Sequence, residues 1–190
     1  MPKINKTRYA ILGVLNIAPG SGYDIKKNCD RGISYFWNEN FGHIYPVLKQ
    51  MEKDGVIQKS VEQNEGRPPR NVYSITQKGK DELVDWLMRP IEPTPQRLEL
   101  MLKLTFAKMV PVEYTLQELE RVRERHSKSL ECFRKVEEEY SNNKKAREDK
   151  GYPYWLSTIR YGIYDAEFRV RWCEETIERI RAYNAGSEDV

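Results

Sequence analysis

The chain has 190 residues, 39% of them hydrophobic and 32% charged, with 32 Lys and Arg against 29 Asp and Glu for a net charge of +3. That length holds one ordinary domain or two small ones and excludes a large multidomain enzyme, while the near balance of charge names no partner. Cys29, Cys132 and Cys173 lie far apart with no CxxC pair and only His43 and His126 beside them, so a disulfide framework and a zinc cluster are both excluded and a reducing cytoplasm is the expected location.

At the N-terminus Lys3, Lys6 and Arg8 precede an apolar run from Ala10 to Ala18. The run is short, Asn16 interrupts it and no A-x-A site follows, so it reads as a helix of a soluble protein and not as a leader. Mean hydropathy is −0.78, and no stretch is long and apolar enough for a membrane span. Ala10, Ile11, Val14, Leu15 and Ala18 recur at helical spacing before Pro19-Gly20, which predicts a first helix over 7–17 with an inward apolar stripe. Ser21 is the N-cap of a predicted second helix, with Asp24 as its capping-box partner and Ile25 and Cys29 inward. Cys29 reads as a packed small hydrophobe. After Gly32 comes an aromatic cluster, Tyr35-Phe36-Trp37.

The third helix starts between Asn40 and His43 and runs to about Asp54, with Ile44, Leu48 and Met51 inward. Its outer face carries His43, Pro46, Lys49, Gln50 and Lys53, with Tyr45 at the edge. Pro46 fits a start at His43 and would break the hydrogen-bond ladder of one at Asn40. Beyond Gly55 the period falls to about two residues through Ile57, Lys59 and Val61. A turn-rich tip, 63–69, precedes the return strand Val72–Ile75, completing a β-hairpin. Thr76 caps a fourth helix to about Met88, with Leu83, Val84 and Leu87 expected inward.

Three helices, a hairpin and another helix make a winged helix-turn-helix, in which one helix enters the major groove and the wing reaches phosphate or the minor groove. The basic residues stand where that requires them, Lys49 and Lys53 on the third helix and Lys59, Arg67 and Arg70 in the wing. The stretch Arg89-Pro90-Ile91-Glu92-Pro93-Thr94-Pro95 places a domain boundary between residues 1–90 and 91–190. Residues 1–90 hold 14 basic and 10 acidic side chains, net +4, and residues 91–190 hold 18 and 19, net −1.

In the second half, 97–109 is a predicted short helix, apolar nearly all round through Leu98, Met101, Leu102 and Leu104 to Phe106. A long helix over 112–145 follows, with Leu116, Leu119, Val122, His126, Leu130, Phe133, Val136 and Tyr140 inward. The polar stretch 141–150 is either a loop or a frayed helix end. In the last helix Ile159, Ile163, Ala166, Val170, Cys173, Ile177 and Ile180 form a heptad seam, which the long helix folds back to meet. The surplus apolar surface implies a second subunit, and Leu98, Leu102, Ile163, Val170 and Ile177 are the candidate dimerisation residues. His126 reads as a core or interface histidine insensitive to pH, and Cys132 and Cys173 read as packing.

Tyr35, Phe36, Trp37, Tyr154 and Trp155 are candidate walls for a flat ligand, or else they fill the core. No Walker loop, GxGxxG or HExxH occurs, and no nucleophile has a base and an oxyanion site at hand; no catalytic residue, metal or cofactor is expected. The basic face suits double-stranded DNA, the alternative being a winged-helix module that binds an acidic protein.

The segments Tyr9-Ala-Ile-Leu-Gly13, Ser21-Gly-Tyr-Asp-Ile25, Phe36-Trp37, His43-Ile-Tyr-Pro-Val-Leu48 with Gly55, Tyr73-Ser-Ile-Thr76 with Gly79, and Asp85-Trp-Leu87 resemble the PadR-type transcriptional regulators. The C-terminal helices look like those of the longer, phenolic-acid-responsive branch, by pattern more than by motif. The resemblance implies a cytoplasmic homodimeric repressor that binds a partly palindromic operator and leaves it when a small aromatic effector binds. It places Tyr45, Pro46 and Lys49 on the recognition helix, Arg67 at the wing tip, and Ser21 and Tyr23 near the DNA backbone. For Tyr23, packing against the third helix is the competing role. His43 departs from many members of the family, so base preference does not transfer.

Overall fold

The computed structural model describes residues 6–37, 44–63, 69–93 and 96–186. Backbone contacts divide the chain into two units, Met1–Thr94 and Pro95–Val190.

The first unit contains α1 (Lys6–Ile17), α2 (Gly22–Gly32), α3 (Ile44–Lys53), the antiparallel strands β1 (Ile57–Glu62) and β2 (Arg70–Ile75), and α4 (Gln77–Leu87). This is a winged helix-turn-helix. Its core is made by Ile11, Leu12 and Leu15 of α1, Ile25 and Cys29 of α2, and Leu48 and Met51 of α3, fully or almost fully buried, with Val56 and Ile57 completing it. The predicted stripe of α1 holds at Ile11 and Leu15, but it omits buried Leu12 and includes Ala18, which is exposed. Burial pushes the Cys29 thiol up to about 11, as suits a packed hydrophobe. Tyr9 of α1 stacks on Trp86 of α4 with ring centroids 4.5 Å apart.

Both strands run further than their alternating residues predict, ending with Glu62 opposite Arg70. Gly20, in the turn between α1 and α2, exchanges two backbone hydrogen bonds with Tyr73 (3.0 and 2.9 Å) and so fastens the hairpin to the helices. Thr76 caps α4, its hydroxyl accepting from the Gly79 amide at 3.2 Å and donating to the Gly55 carbonyl at 2.8 Å. The helix then passes so close to the hairpin that a Cβ on Gly79 would lie 2.1 Å from the Val56 carbonyl oxygen. Only glycine fits there.

Arg8 joins three helices. Its Nε and Nη2 donate to the two carboxylate oxygens of Glu82 on α4 at 2.6 and 2.9 Å, and its Nη1 donates to Asp54, just past the end of α3. The pairing raises the guanidinium pKa and, with Gln50 donating as well, holds the Asp54 carboxyl below its usual range. Lys78 donates to the Asp54 carbonyl at 2.7 Å.

Val84 and Leu87 do not face inward as expected. They are 52% and 66% exposed, because α4 offers the core a single row through Gly79, Leu83 and the partly buried Trp86.

The second unit contains α5 (Glu99–Thr105), a 3₁₀ turn (Ala107–Met109), α6 (Val112–Asn142), α7 (Lys144–Glu148) and α8 (Tyr152–Ala185). The long helix ends earlier than expected, at Asn142, because the Asn143 side chain accepts from the Ala146 amide at 3.2 Å and starts α7. The short helix predicted over 97–109 is likewise two pieces. Helices α6 and α8 form an antiparallel pair, shown by the order of their ion pairs: Glu120 with Arg181, Arg123 with Glu174, Arg134 with Glu167 and Glu137 with Arg160. Leu119, Ile163, Ala166, Cys173 and Ile177 are buried. Two assignments need correction. Ile163 and Ile177 are 7% and 4% exposed inside this chain's own helix pair, so, with half-buried Val170, they fill the intrachain seam and leave little surface for a second subunit. Cys132 is exposed and not packed.

His126 is half-buried on α6, its Nδ1 sealed from solvent without a hydrogen-bond partner. Burial, then the nearby Arg169, lowers its pKa from the ordinary 6.5, with Asp165 opposing. The histidine is therefore not indifferent to pH. Between the ordinary and the folded value the unfolded chain binds the proton more readily, so stability is fully present above about pH 6.5 and falls as the pH drops below it. Urea titrations at stepped pH should show this decline, and His126→Leu should flatten it. Arg8→Ala should cost about 2 kcal/mol, between the values for exposed and buried pairs because the site is part-buried; urea unfolding followed by circular dichroism measures it.

Candidate nucleic-acid interface

Helices α2 and α3 and strand β1 each leave basic or aromatic residues exposed. On α3, burial of Ile44, Leu48 and Met51 turns Tyr45, Pro46, Lys49, Gln50 and Lys53 to solvent. Pro46 sits in the first turn of the helix as described, where a missing amide breaks no ladder. Lys49 and Lys53 make no ion pair with any described residue, and Lys53 stands in the last turn, where a cation also complements the helix dipole.

The N-terminus of α2 lies beside this face. Tyr45 is 62% exposed, and its ring lies over Gly22, where a Cβ would come within 2.8 Å of Cε1. Tyr23 is 68% exposed, which removes the alternative of a ring packed against α3. Ser21 is fully occupied by the capping box: its amide and hydroxyl donate to Asp24 Oδ2 at 2.9 and 2.6 Å, and its Oγ accepts from the Asp24 amide at 3.2 Å. Its role is to hold the helix end in place. Lys27, one turn after Tyr23 on the same exposed side, was not among the expected residues. The i, i+4 spacing from Tyr23 was the available signal. Lys26 is paired to Asp30 at 2.8 Å, whereas Lys27 makes no ion pair with any described residue and only adds to the positive field at Asp24.

In the wing, Lys59 is exposed on β1. Arg70 is not a free cation: its Nη2 lies 2.7 Å from Glu62 and its Nη1 3.6 Å from Asp24. His43 and Arg67 lie outside the described residues. The first unit thus offers four lysines without ion pairs, two exposed tyrosine rings and a helix N-terminus, all suited to phosphate oxygens. Among the described residues no cluster of His, Cys, Asp and Glu could hold a metal, and no described helix is long and apolar enough to cross a membrane.

The aromatic candidates divide between the units. Tyr35 and Trp37 are half-buried after α2 with Phe36 more exposed, and Lys6 lies 6.0 Å from the centre of the Trp37 ring, whose indole nitrogen is buried without a partner. Tyr154 and Trp155 are exposed at the start of α8. A cavity of about 610 Å³ opens in the second unit between α5 and the start of α6, lined by Leu102, Leu104, Phe106, Val110, Tyr114 and Arg121 among others. None of the five aromatic candidates lines it.

The model of the Transcriptional regulator PadR-like family matches residues 11–85, from α1 into α4. Over those residues the chain is similar to the PadR-like transcriptional regulators. The matched family and the curated relatives are named as transcriptional regulators and not as enzymes. A second model, Virulence activator alpha C-term, matches residues 96–181 and spans α5 to α8. The chain is 28% identical to Rv1176c of Mycobacterium tuberculosis over 91% of its own length and 96% of that protein's. It is 37% identical to the negative transcriptional regulator PadR of Bacillus subtilis over 101 residues, 52% of this chain and 55% of that one. The structure of Bacillus subtilis PadR in complex with operator DNA superposes with a TM-score of 0.78 at 24% identity, covering 92% of this chain and 98% of that one. The same protein in complex with p-coumaric acid gives 0.70 at 24%, covering 95% and 98%. At that identity the superpositions speak for the fold.

Proposed function

We propose that this PadR-like chain is a cytoplasmic homodimeric repressor whose first 90 residues bind a palindromic DNA operator and whose residues 91–190 assemble the dimer and sense an effector. The observation that carries DNA binding is the sorting of charge in the first unit: exposed Lys27, Lys49, Lys53 and Lys59 make no ion pair with any described residue, while Asp54 and Glu82 are consumed by Arg8. Surface lysines without partners are free to neutralise phosphates and so to release the cations condensed on DNA. An acidic protein would also suit such a surface. A duplex differs in giving an affinity that falls linearly with the logarithm of salt.

Support for a dimer comes from apolar surface that the chain does not cover. Leu98, Met101, Leu102, Phe106 and Met109 are exposed on and around α5, and Tyr154, Tyr161, Tyr164 and Phe168 recur at near-heptad spacing along α8, all exposed. A two-fold assembly places two recognition helices on successive half-sites of a palindrome. Repression and release by a small aromatic or phenolic effector are supported by Bacillus subtilis PadR, named a negative regulator and solved with p-coumaric acid. Tyr154 and Trp155 of the second unit and, as a separate candidate group, Tyr35, Phe36 and Trp37 of the first are the aromatic residues we assign to stacking with such a ligand. An effector acts only if it binds the DNA-free arrangement better than the DNA-bound one.

Lys49→Ala is expected to weaken duplex binding and to lower the slope of log K against log salt by about one unit; a gel-shift salt series identical to the parent's removes Lys49 from the interface. Light scattering after size exclusion should give a dimer for the parent and a monomer for the double variant Leu102→Glu, Phe168→Glu. A monomeric parent contradicts the assembly.

A further inference from the structure

Arg70 stands where a basic wing residue would reach a phosphate, but its surroundings assign it another task. It opens β2 directly opposite Glu62, the last residue of β1. Its Nε donates to Glu62 Oε2 at 2.8 Å and its Nη2 approaches the same oxygen at 2.7 Å. Its Nη1 faces the other way, 3.6 Å from Asp24 Oδ2. That oxygen is the one that accepts from the Ser21 amide and hydroxyl in the capping box of α2. All three guanidinium nitrogens are thus turned to carboxylates, one on the wing and one on the helix that abuts α3. Glu62 and Asp24 together more than cancel the charge of Arg70, whereas Lys49, Lys53 and Lys59 have no such neighbours.

A cation held in this way stays with its carboxylates and neutralises no phosphate, so it displaces few of the cations condensed on DNA. What it supplies is a fixed distance between the tip end of the paired strands and the N-terminus of α2. A second effect follows from the same contact. Asp24 lies at the positive end of α2, and its charge would repel a phosphate approaching Tyr23 unless a cation neutralised it. Lysine cannot replace arginine here, since a single ammonium does not present a planar fork to two carboxylates at once.

Resting on the DNA-binding reading above, we propose that Arg70 is a positioning residue of the DNA interface, which locks the wing to the capped end of α2 and is withheld from phosphate by Glu62 and Asp24. The test is a fluorescence-anisotropy titration of the full-length protein with a mixed-sequence duplex of about 30 base pairs between about 50 and 200 mM salt. R70Q and R70K are compared with the parent and with K49A, and thermal melts establish that each is folded. R70Q should weaken binding by about threefold at every salt concentration, as the loss of an exposed pair would give, with the slope unchanged. R70K should behave like R70Q despite keeping the charge. If R70Q lowers the slope by about one unit as K49A does, or if R70K binds like the parent, Arg70 is an ordinary phosphate ligand and the assignment fails. Should R70Q not fold, R70K decides alone. A parent protein that binds no duplex removes the DNA-binding reading and this assignment together, while a parent that binds leaves the variants to judge Arg70 by itself.

Discussion

The first unit depends on one cation. Arg8 projects from α1 and is claimed by Glu82 of α4 on one side and by Asp54, after α3, on the other. Helices α1 and α4 meet face to face through Tyr9 and Trp86, and dispersion between rings is tolerant of sliding. The planar fork is not, because two parallel hydrogen bonds to a carboxylate admit one orientation. Asp54 lies where the backbone turns from α3 toward β1, so the same guanidinium fixes where the recognition helix ends and the wing begins. The hydrophobic core supplies most of the stabilisation, and Arg8 selects among the ways in which its helices could rotate against one another.

The charged residues of this unit separate into two populations by geometry. One is paired within the fold: Arg8, Lys26 and Arg70 are matched to Glu82, Asp54, Asp30, Glu62 and Asp24. The other, Lys27, Lys49, Lys53 and Lys59, is exposed and makes no ion pair with any described residue. The net charge of +4 over residues 1–90 therefore understates how uneven the surface is, since five of its ten acids, Asp24, Asp30, Asp54, Glu62 and Glu82, are spent on holding the frame. The second unit does the reverse. Its cations and anions are laced along and between α6 and α8, which leaves aromatic and aliphatic side chains as the uncommitted surface.

Much of this was legible in the sequence wherever the cause is local. The stripes of α1 and α3, the Ser21–Asp24 capping box, the Thr76 cap, the change to a two-residue period after Gly55 and the seam of α8 are all written within a few residues of where they act. What escaped depends on distant or directional contacts. Arg8 meets partners 46 and 74 positions away, and no spacing rule connects them. Arg70 counts as one more wing cation until Glu62 and Asp24 are seen around it. Val84 and Leu87 have the spacing of core residues, but helical periodicity does not say which of two adjacent rows meets the core. Ile163 and Ile177 show the same ambiguity between chains: a heptad seam records that a helix is wanted, not whether it comes from the same polypeptide. Asn143 is an ordinary N-cap within a polar run that reads equally well as a frayed end.

The two hydrogen bonds between Gly20 and Tyr73 have a consequence for how such a regulator diversifies. They anchor the hairpin to the helices through β2, at a residue of the strand and not of the connection between β1 and β2. Doubling the length of such a connection costs only about 0.6 kcal/mol in closure entropy. Residues at the tip can thus be exchanged, inserted or removed between descendants without retuning the core, so the preferred DNA site can drift over generations while the scaffold stays the same.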